Sequence, residues 1–124
     1  MSLADPAILE HTLTAEGKAA LLEIARRLRE RYGEALERLV VFGSRARGDA
    51  TEESDLDVLV AVRFLPGTAI EEERAIWRVA ESVMSEWHTY LPLSLVILAA
   101  DQFDELLARE RRFALDVTRE GIAL

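Results

Sequence analysis

Residues 40–60 read VVFGSRARGDATEESDLDVLV, and the fold is decided by how this stretch is parsed. Leu39, Val40, Val41 and Phe42 form a short apolar run between Arg38 and Gly43. It is too brief for a helix and rich in strand formers, so it reads as a buried first strand. Gly43 lacks a Cβ, which lets the backbone leave the strand sharply and approach a ligand closely. Ser44 then offers a hydroxyl and an N–H to a phosphate, the more so if a helical turn begins there. Leu56 to Val62 is a second apolar, β-favouring run. Asp55 and Asp57 stand two apart at its start, so both project from one face while Leu56 and Val58 enter the other.

Two carboxylates on one face make a hard oxygen site. Mg²⁺ is held by one or two carboxylates together with water and substrate phosphates, and a pair of such ions stabilises the attacking and leaving oxygens of an in-line displacement. Phosphoryl or nucleotidyl transfer is the chemistry that suits this set. Arg45 and Arg47 carry the charge to neutralise phosphate, Arg45 the more directly because it adjoins Ser44. Their other reading is exposed pairing with Asp49, Glu52 or Glu53. Ser54 suits a turn into the second strand.

Working outward, Leu21, Ile24, Ala25, Leu28 and Tyr32 recur at helical spacing, with Thr14 as an N-cap and Gly33 as a stop. Pro66-Gly67 closes the second strand with a turn, and Thr68 with Glu71 makes a capping box for a helix to about Trp87. Ile76, Val79, Ala80, Val83 and Trp87 line one side of that helix, with Trp77 the more exposed tryptophan. Leu91 to Leu98 reads as a third strand, apolar on both faces and so covered by helices. The remainder, with Phe103, Leu106, Leu107, Phe113, Val117 and Ile122, reads as one or two short helices ending at Gly121. The expected architecture is α/β (α+β), a small mixed sheet of three or more strands covered by helices, forming a single domain over residues 1–124.

Composition narrows the function. The chain has 124 residues, half of them hydrophobic, enough for one core. A net charge of −8 repels polyanions, so nonspecific nucleic-acid binding is disfavoured. The absence of cysteine removes disulfides, thiolate nucleophiles and thiolate-ligated zinc. Neither a long apolar span nor a signal-peptide pattern is present, which gives a cytoplasmic protein without membrane contact as the expectation. His11 and His88 lack partners at metal-ligand spacing. So small a chain leaves room for a partner or a homodimer to supply further parts.

Gly43-Ser44, ten residues, then Asp55-x-Asp57 resembles the minimal nucleotidyltransferase branch of the DNA polymerase β-type superfamily, and the order of elements is similar to that fold. The resemblance implies a polymerase β-like core in which Gly43 and Ser44 contact the triphosphate of a nucleoside triphosphate, ATP first among them. Asp55 and Asp57 would hold Mg²⁺ in a two-metal site and serve as the catalytic pair. Arg45 and Arg47 would neutralise phosphate, and a nucleoside monophosphate, AMP in some members, would pass to a hydroxyl acceptor with loss of pyrophosphate. It further implies a small helical HEPN-type protein partner, in places as a toxin–antitoxin pair. In active relatives a third carboxylate lies on the later strand, whereas Ser94 occupies that place here. A hydroxyl is a poorer ligand and base, so the alternative is a catalytically weakened module that binds nucleotide and partner. Asp101 or a partner's acid is the candidate substitute.

Overall fold

The computed structural model describes residues 7–63 and 69–124. A short helix α1 (Ile8–Thr12) leads into α2 (Ala15–Tyr32), whose N-cap Thr14 accepts from the Gly17 N–H at 3.0 Å. Gly33, at φ 55°, stops it, as the sequence predicts. A single 3-10 turn precedes β1 (Leu36–Phe42), which the one-turn helix α3 (Ser44–Arg47) follows. Next come β2 (Leu56–Val62), α4 (Ala69–Glu86), β3 (Leu93–Ala99), α5 (Ala100–Ala108), α6 (Arg112–Glu120) and β4 (Ile122–Ala123). The expected Pro66-Gly67 turn and the Thr68 half of the capping box lie outside the described residues.

The four strands form one mixed sheet in the order β3-β2-β1-β4. β1 runs antiparallel to β2 and β4, while β2 and β3 are parallel, joined through α4. Strand alternation sends successive side chains to opposite faces. Leu39 and Val41 of β1 join Leu56, Val58, Val60 and Val62 of β2 in a core against α2 and α4. Val40 and Leu59 turn to the other face, against Phe103 of α5 and Ala114 and Val117 of α6. The result is a sheet between two helical layers, a polymerase β-like arrangement. Fully burying side chains such as Leu21 and Leu28 of α2 stabilises the packing by about 1.5–3 kcal/mol each.

A polar contact reinforces the α2–α4 packing. Glu72, 4% exposed, accepts from the Tyr32 hydroxyl at 2.7 Å and faces Arg31 at 3.4 Å. An acid of the first turn of α4 thus satisfies a buried phenol on another helix.

Several expectations need correction. Trp77 packs against the core whereas Trp87 is 42% exposed, the reverse of the expected order, because α4 ends at Glu86 and leaves Trp87 just beyond it. Ile122 belongs to a strand rather than a helix: Val41↔Ile122 and Val40↔Ala123 pair across the sheet edge. β3 is the opposite edge strand, and each of its residues is half-buried rather than enclosed.

Candidate functional site

The site is assembled at one end of the sheet, where β1 finishes and β2 and β3 begin. Register places Phe42 opposite Asp57, so Gly43, the next residue, leaves the sheet directly above that carboxylate. The approach is close enough that a Cβ on Gly43 would collide with Asp57 Oδ2. Gly43 also adopts φ 76° and ψ −156°, backbone that other residues rarely tolerate. One glycine therefore meets two demands, the exit dihedral and the contact with Asp57.

Ser44 opens α3, and the Ala46 and Arg47 N–H groups both bond back to the Gly43 carbonyl at 3.1 Å, closing the turn. The chain then crosses residues 48–55 and enters β2. Ser54 shapes this entry as the sequence predicts: its hydroxyl accepts from the Thr51 N–H at 2.9 Å, and its own N–H donates to the Thr51 carbonyl at 3.1 Å. Asp55 is exposed at the mouth, Asp57 is half-buried, and Leu56 and Val58 point into the α2/α4 core on the other side.

Parallel pairing puts Ser94 of β3 directly beside Asp57. Burial raises the Asp57 carboxyl above the ordinary carboxylate range; the nearby Asp55 charge raises it further, while the Ser94 hydroxyl and the Arg47 guanidinium pull it down. Two carboxylates that repel each other at a half-buried position make a site that a cation would relieve. Among the described residues no group of three histidine, cysteine or acidic side chains is placed to hold a metal. The donors present fit Mg²⁺ arriving with a phosphate-bearing substrate, since that ion accepts one or two carboxylates and completes its shell with phosphate and water.

The two arginines have different fates. Arg47 is exposed and lies within 3.3 Å of Asp49 and 3.4 Å of Glu120, with its charge still acting on Asp57. Arg45, the stronger phosphate candidate from sequence, is only 7% exposed. Its guanidinium donates to the Thr12 carbonyl, to Thr12 Oγ1 at 3.4 Å and to the Ser54 carbonyl at 2.8 Å. It ties the end of α1 and the approach to β2 onto α3, and those bonds direct it away from solvent. No local signal reveals this, because its main partner is 33 positions away. Asp101 is placed beyond the far end of β3, at the start of α5. Ala99 lies five residue steps along the strand from Ser94, roughly 16 Å at about 3.3 Å per residue, so Asp101 of the same chain does not stand in for the missing acid.

Comparison with known proteins identifies the family and the fold. Residues 21–111 match the family model of the nucleotidyltransferase domain. Two Methanocaldococcus jannaschii proteins, each named "putative protein adenylyltransferase", are 47% identical over 45 residues and 44% identical over 41 residues. These matches cover 36% and 33% of this chain and 43% and 41% of the relatives, so the aligned part spans about two fifths of each relative's length. A solved Sulfolobus solfataricus structure, described as a "putative nucleotidyltransferase", superposes with a TM-score of 0.53 over 96% of this chain and 86% of its own; at 18% identity it speaks for the fold. A second solved structure, a "putative minimal nucleotidyltransferase", superposes with a TM-score of 0.56 at 30% identity over 86% of this chain and 91% of its own. With the motif residues gathered at one end of a shared fold and the family model matching most of the chain, this protein belongs to the nucleotidyltransferases, on their minimal branch.

Proposed function

We propose that the chain transfers a nucleoside monophosphate, AMP, from ATP to a hydroxyl on a protein partner. The observation that carries this reading is the contact of Gly43 with Asp57, which sets a phosphate-approachable turn against a carboxylate pair at the mouth of a strand. Ser44 would hold the β- and γ-phosphates, and the exposed Arg47 would exchange Asp49 and Glu120 for phosphate oxygens. Asp55 and Asp57 would hold Mg²⁺, which supplies charge neutralisation at the reacting phosphate when bound. The acceptor oxygen forms its bond to the α-phosphorus while the bond from that phosphorus to pyrophosphate breaks; the hydroxyl proton passes to solvent. Positioning and charge account for such catalysis, with little covalent chemistry asked of the protein. The names of the M. jannaschii relatives support AMP as the group and protein as the acceptor, and the family resemblance makes a small helical HEPN-type chain, in a toxin–antitoxin pair, the first partner to test.

The test is incubation with α-labelled ATP, Mg²⁺ and that partner. Label should appear on the partner with wild type and be lost with Asp55→Ala. No label, or equal label with both, removes the reading. A second reading rests on Ser94 beside Asp57: lacking an acid there, the domain binds MgATP and partner without turnover. It expects calorimetric binding with no pyrophosphate release, and a gain of turnover in Ser94→Asp.

A further inference from the structure

The three elements of the site lie side by side at one end of the sheet, in the order end of β1, start of β2, start of β3, about 4.8 Å apart. This order has a chemical direction, resting on the transfer reading above. If the leaving phosphates are held at Gly43 and Ser44 and the α-phosphorus stands at the Asp55–Asp57 pair, an in-line attack must come from the side opposite the leaving group. That side is the start of β3 and the α4–β3 turn, residues 87–92.

This turn carries the largest exposed aromatic surface on the described part of the chain. Tyr90 is 81% and Trp87 42% exposed, while the other large exposed apolar side chains, Leu22 and Ile70, lie on α2 and α4. Its backbone is nonetheless fixed. The Thr89 N–H donates to the Met84 carbonyl at 3.0 Å, and the Thr89 hydroxyl to the Trp87 carbonyl at 3.1 Å. Leu91 is buried in the α2/α4 core, and the Leu56 N–H bonds the Pro92 carbonyl at 2.8 Å, tying the turn to the residue after Asp55. Exposed aromatics on a held backbone lose little entropy on binding and are the usual anchors of protein contacts. The loop entering β2 carries the exposed acids Glu52 and Glu53, on a chain of net charge −8.

We propose that Trp87 and Tyr90 form the docking corner for the acceptor, and that the acceptor is a protein segment whose hydroxyl residue is flanked by apolar and basic side chains. The aromatic corner takes the apolar neighbours, and the exposed acids of the loop entering β2, with the net negative charge of the chain, select the basic ones. The hydroxyl enters from the β3 side, over Ser94, in line with departing pyrophosphate. Exposure of both aromatics means that truncating them leaves the core intact.

The probe is an arrayed set of synthetic peptides, each with one serine, threonine or tyrosine between leucine and either arginine or glutamate neighbours, offered with α-labelled ATP and Mg²⁺. Wild type should label arginine-flanked peptides at least tenfold more than glutamate-flanked ones. The Trp87→Ala/Tyr90→Ala double variant should raise the peptide KM at least tenfold, with kcat within about threefold and MgATP affinity unchanged. Labelling indifferent to the flanking charge, an unchanged peptide KM in the double variant, or a loss of its MgATP affinity would each overturn the proposal, as would no peptide labelling by wild type. Asp55-dependent transfer of label to the helical protein partner, measured with the same preparations, separates the outcomes: if it persists, only the docking corner has failed; if it is absent, the proposed function has failed with it.

Discussion

Replacing Gly43 with alanine tests the contact on which the site depends, and Gly33 provides a matched control. Both glycines adopt backbone almost reserved for that residue, φ 76° and ψ −156° at Gly43 and φ 55° and ψ −132° at Gly33. Forcing alanine into such a conformation costs on the order of 1–3 kcal/mol. At Gly33 nothing lies within 4 Å of the added methyl, so the backbone cost is the whole effect. At Gly43 the methyl meets Asp57 Oδ2, and the carboxylate must leave its rotamer at a further cost of about 0.5–1.5 kcal/mol. Urea unfolding should thus rank wild type above Gly33→Ala and Gly33→Ala above Gly43→Ala, with similar slopes. Calorimetry with MgATP should find Gly33→Ala unchanged and Gly43→Ala weakened at least tenfold, because the displaced carboxylate no longer shares a cation with the phosphates. Equal stability of the two variants, with full nucleotide affinity in Gly43→Ala, would refute the reasoning.

Arg45→Ala should lower stability by about 3 kcal/mol or more in urea unfolding, since hydrogen bonds from a charged donor contribute about 1.5–3 kcal/mol each and two carbonyls lose their donor. Arg45→Lys should not restore it, because one ammonium cannot reproduce the fork that reaches both Thr12 and Ser54. Tyr32→Phe should cost about 1–3 kcal/mol at neutral pH by leaving buried Glu72 without its hydroxyl donor. Burial first, and the Glu72 carboxylate second, raise the Tyr32 pKa above the usual 10, so the native state resists ionisation. Its contribution is complete below pH 10 and declines as pH climbs from there through the folded value. Wild type should therefore lose stability over that alkaline range more steeply than Tyr32→Phe, as followed by thermal melts; parallel curves would discount the buried pair.

The parts of the fold legible in the sequence are those fixed by neighbours along the chain. Thr14 and Gly33 bound α2 through bonds to residues three or four away, and the apolar run from Leu56 to Val62 is a strand by composition alone. β1 begins at Leu36, three residues before the apolar run, because Leu36–Arg38 gain strand geometry from pairing across a register shift with β2. The two-residue β4 exists only through Val40 and Val41, some 80 positions away, and nothing within Gly121–Leu124 announces it.

The candidate site divides in the same manner. The order Gly43, Ser44, Asp55, Asp57 carries its own spacing, whereas Arg45 and Arg47 are alike in sequence and are separated by what they meet. A carbonyl on α1 and another before β2 capture Arg45, and Arg47 is left at the surface among acids. The neutral residue beside Asp57 was readable as Ser94, but the placement of Asp101 at the opposite end of β3 required the parallel register.

The most direct test of the central claim, that the carboxylate pair and the Gly43–Ser44 turn share a cation with a nucleotide's phosphates, is titration calorimetry of ATP with and without Mg²⁺ on wild type, Asp55→Ala and Asp57→Ala. Wild type should bind ATP more tightly with Mg²⁺ than without, and either substitution should abolish that difference while the fold, followed by circular dichroism, persists. Mg²⁺-enhanced binding that survives both substitutions would place the nucleotide elsewhere and contradict the account.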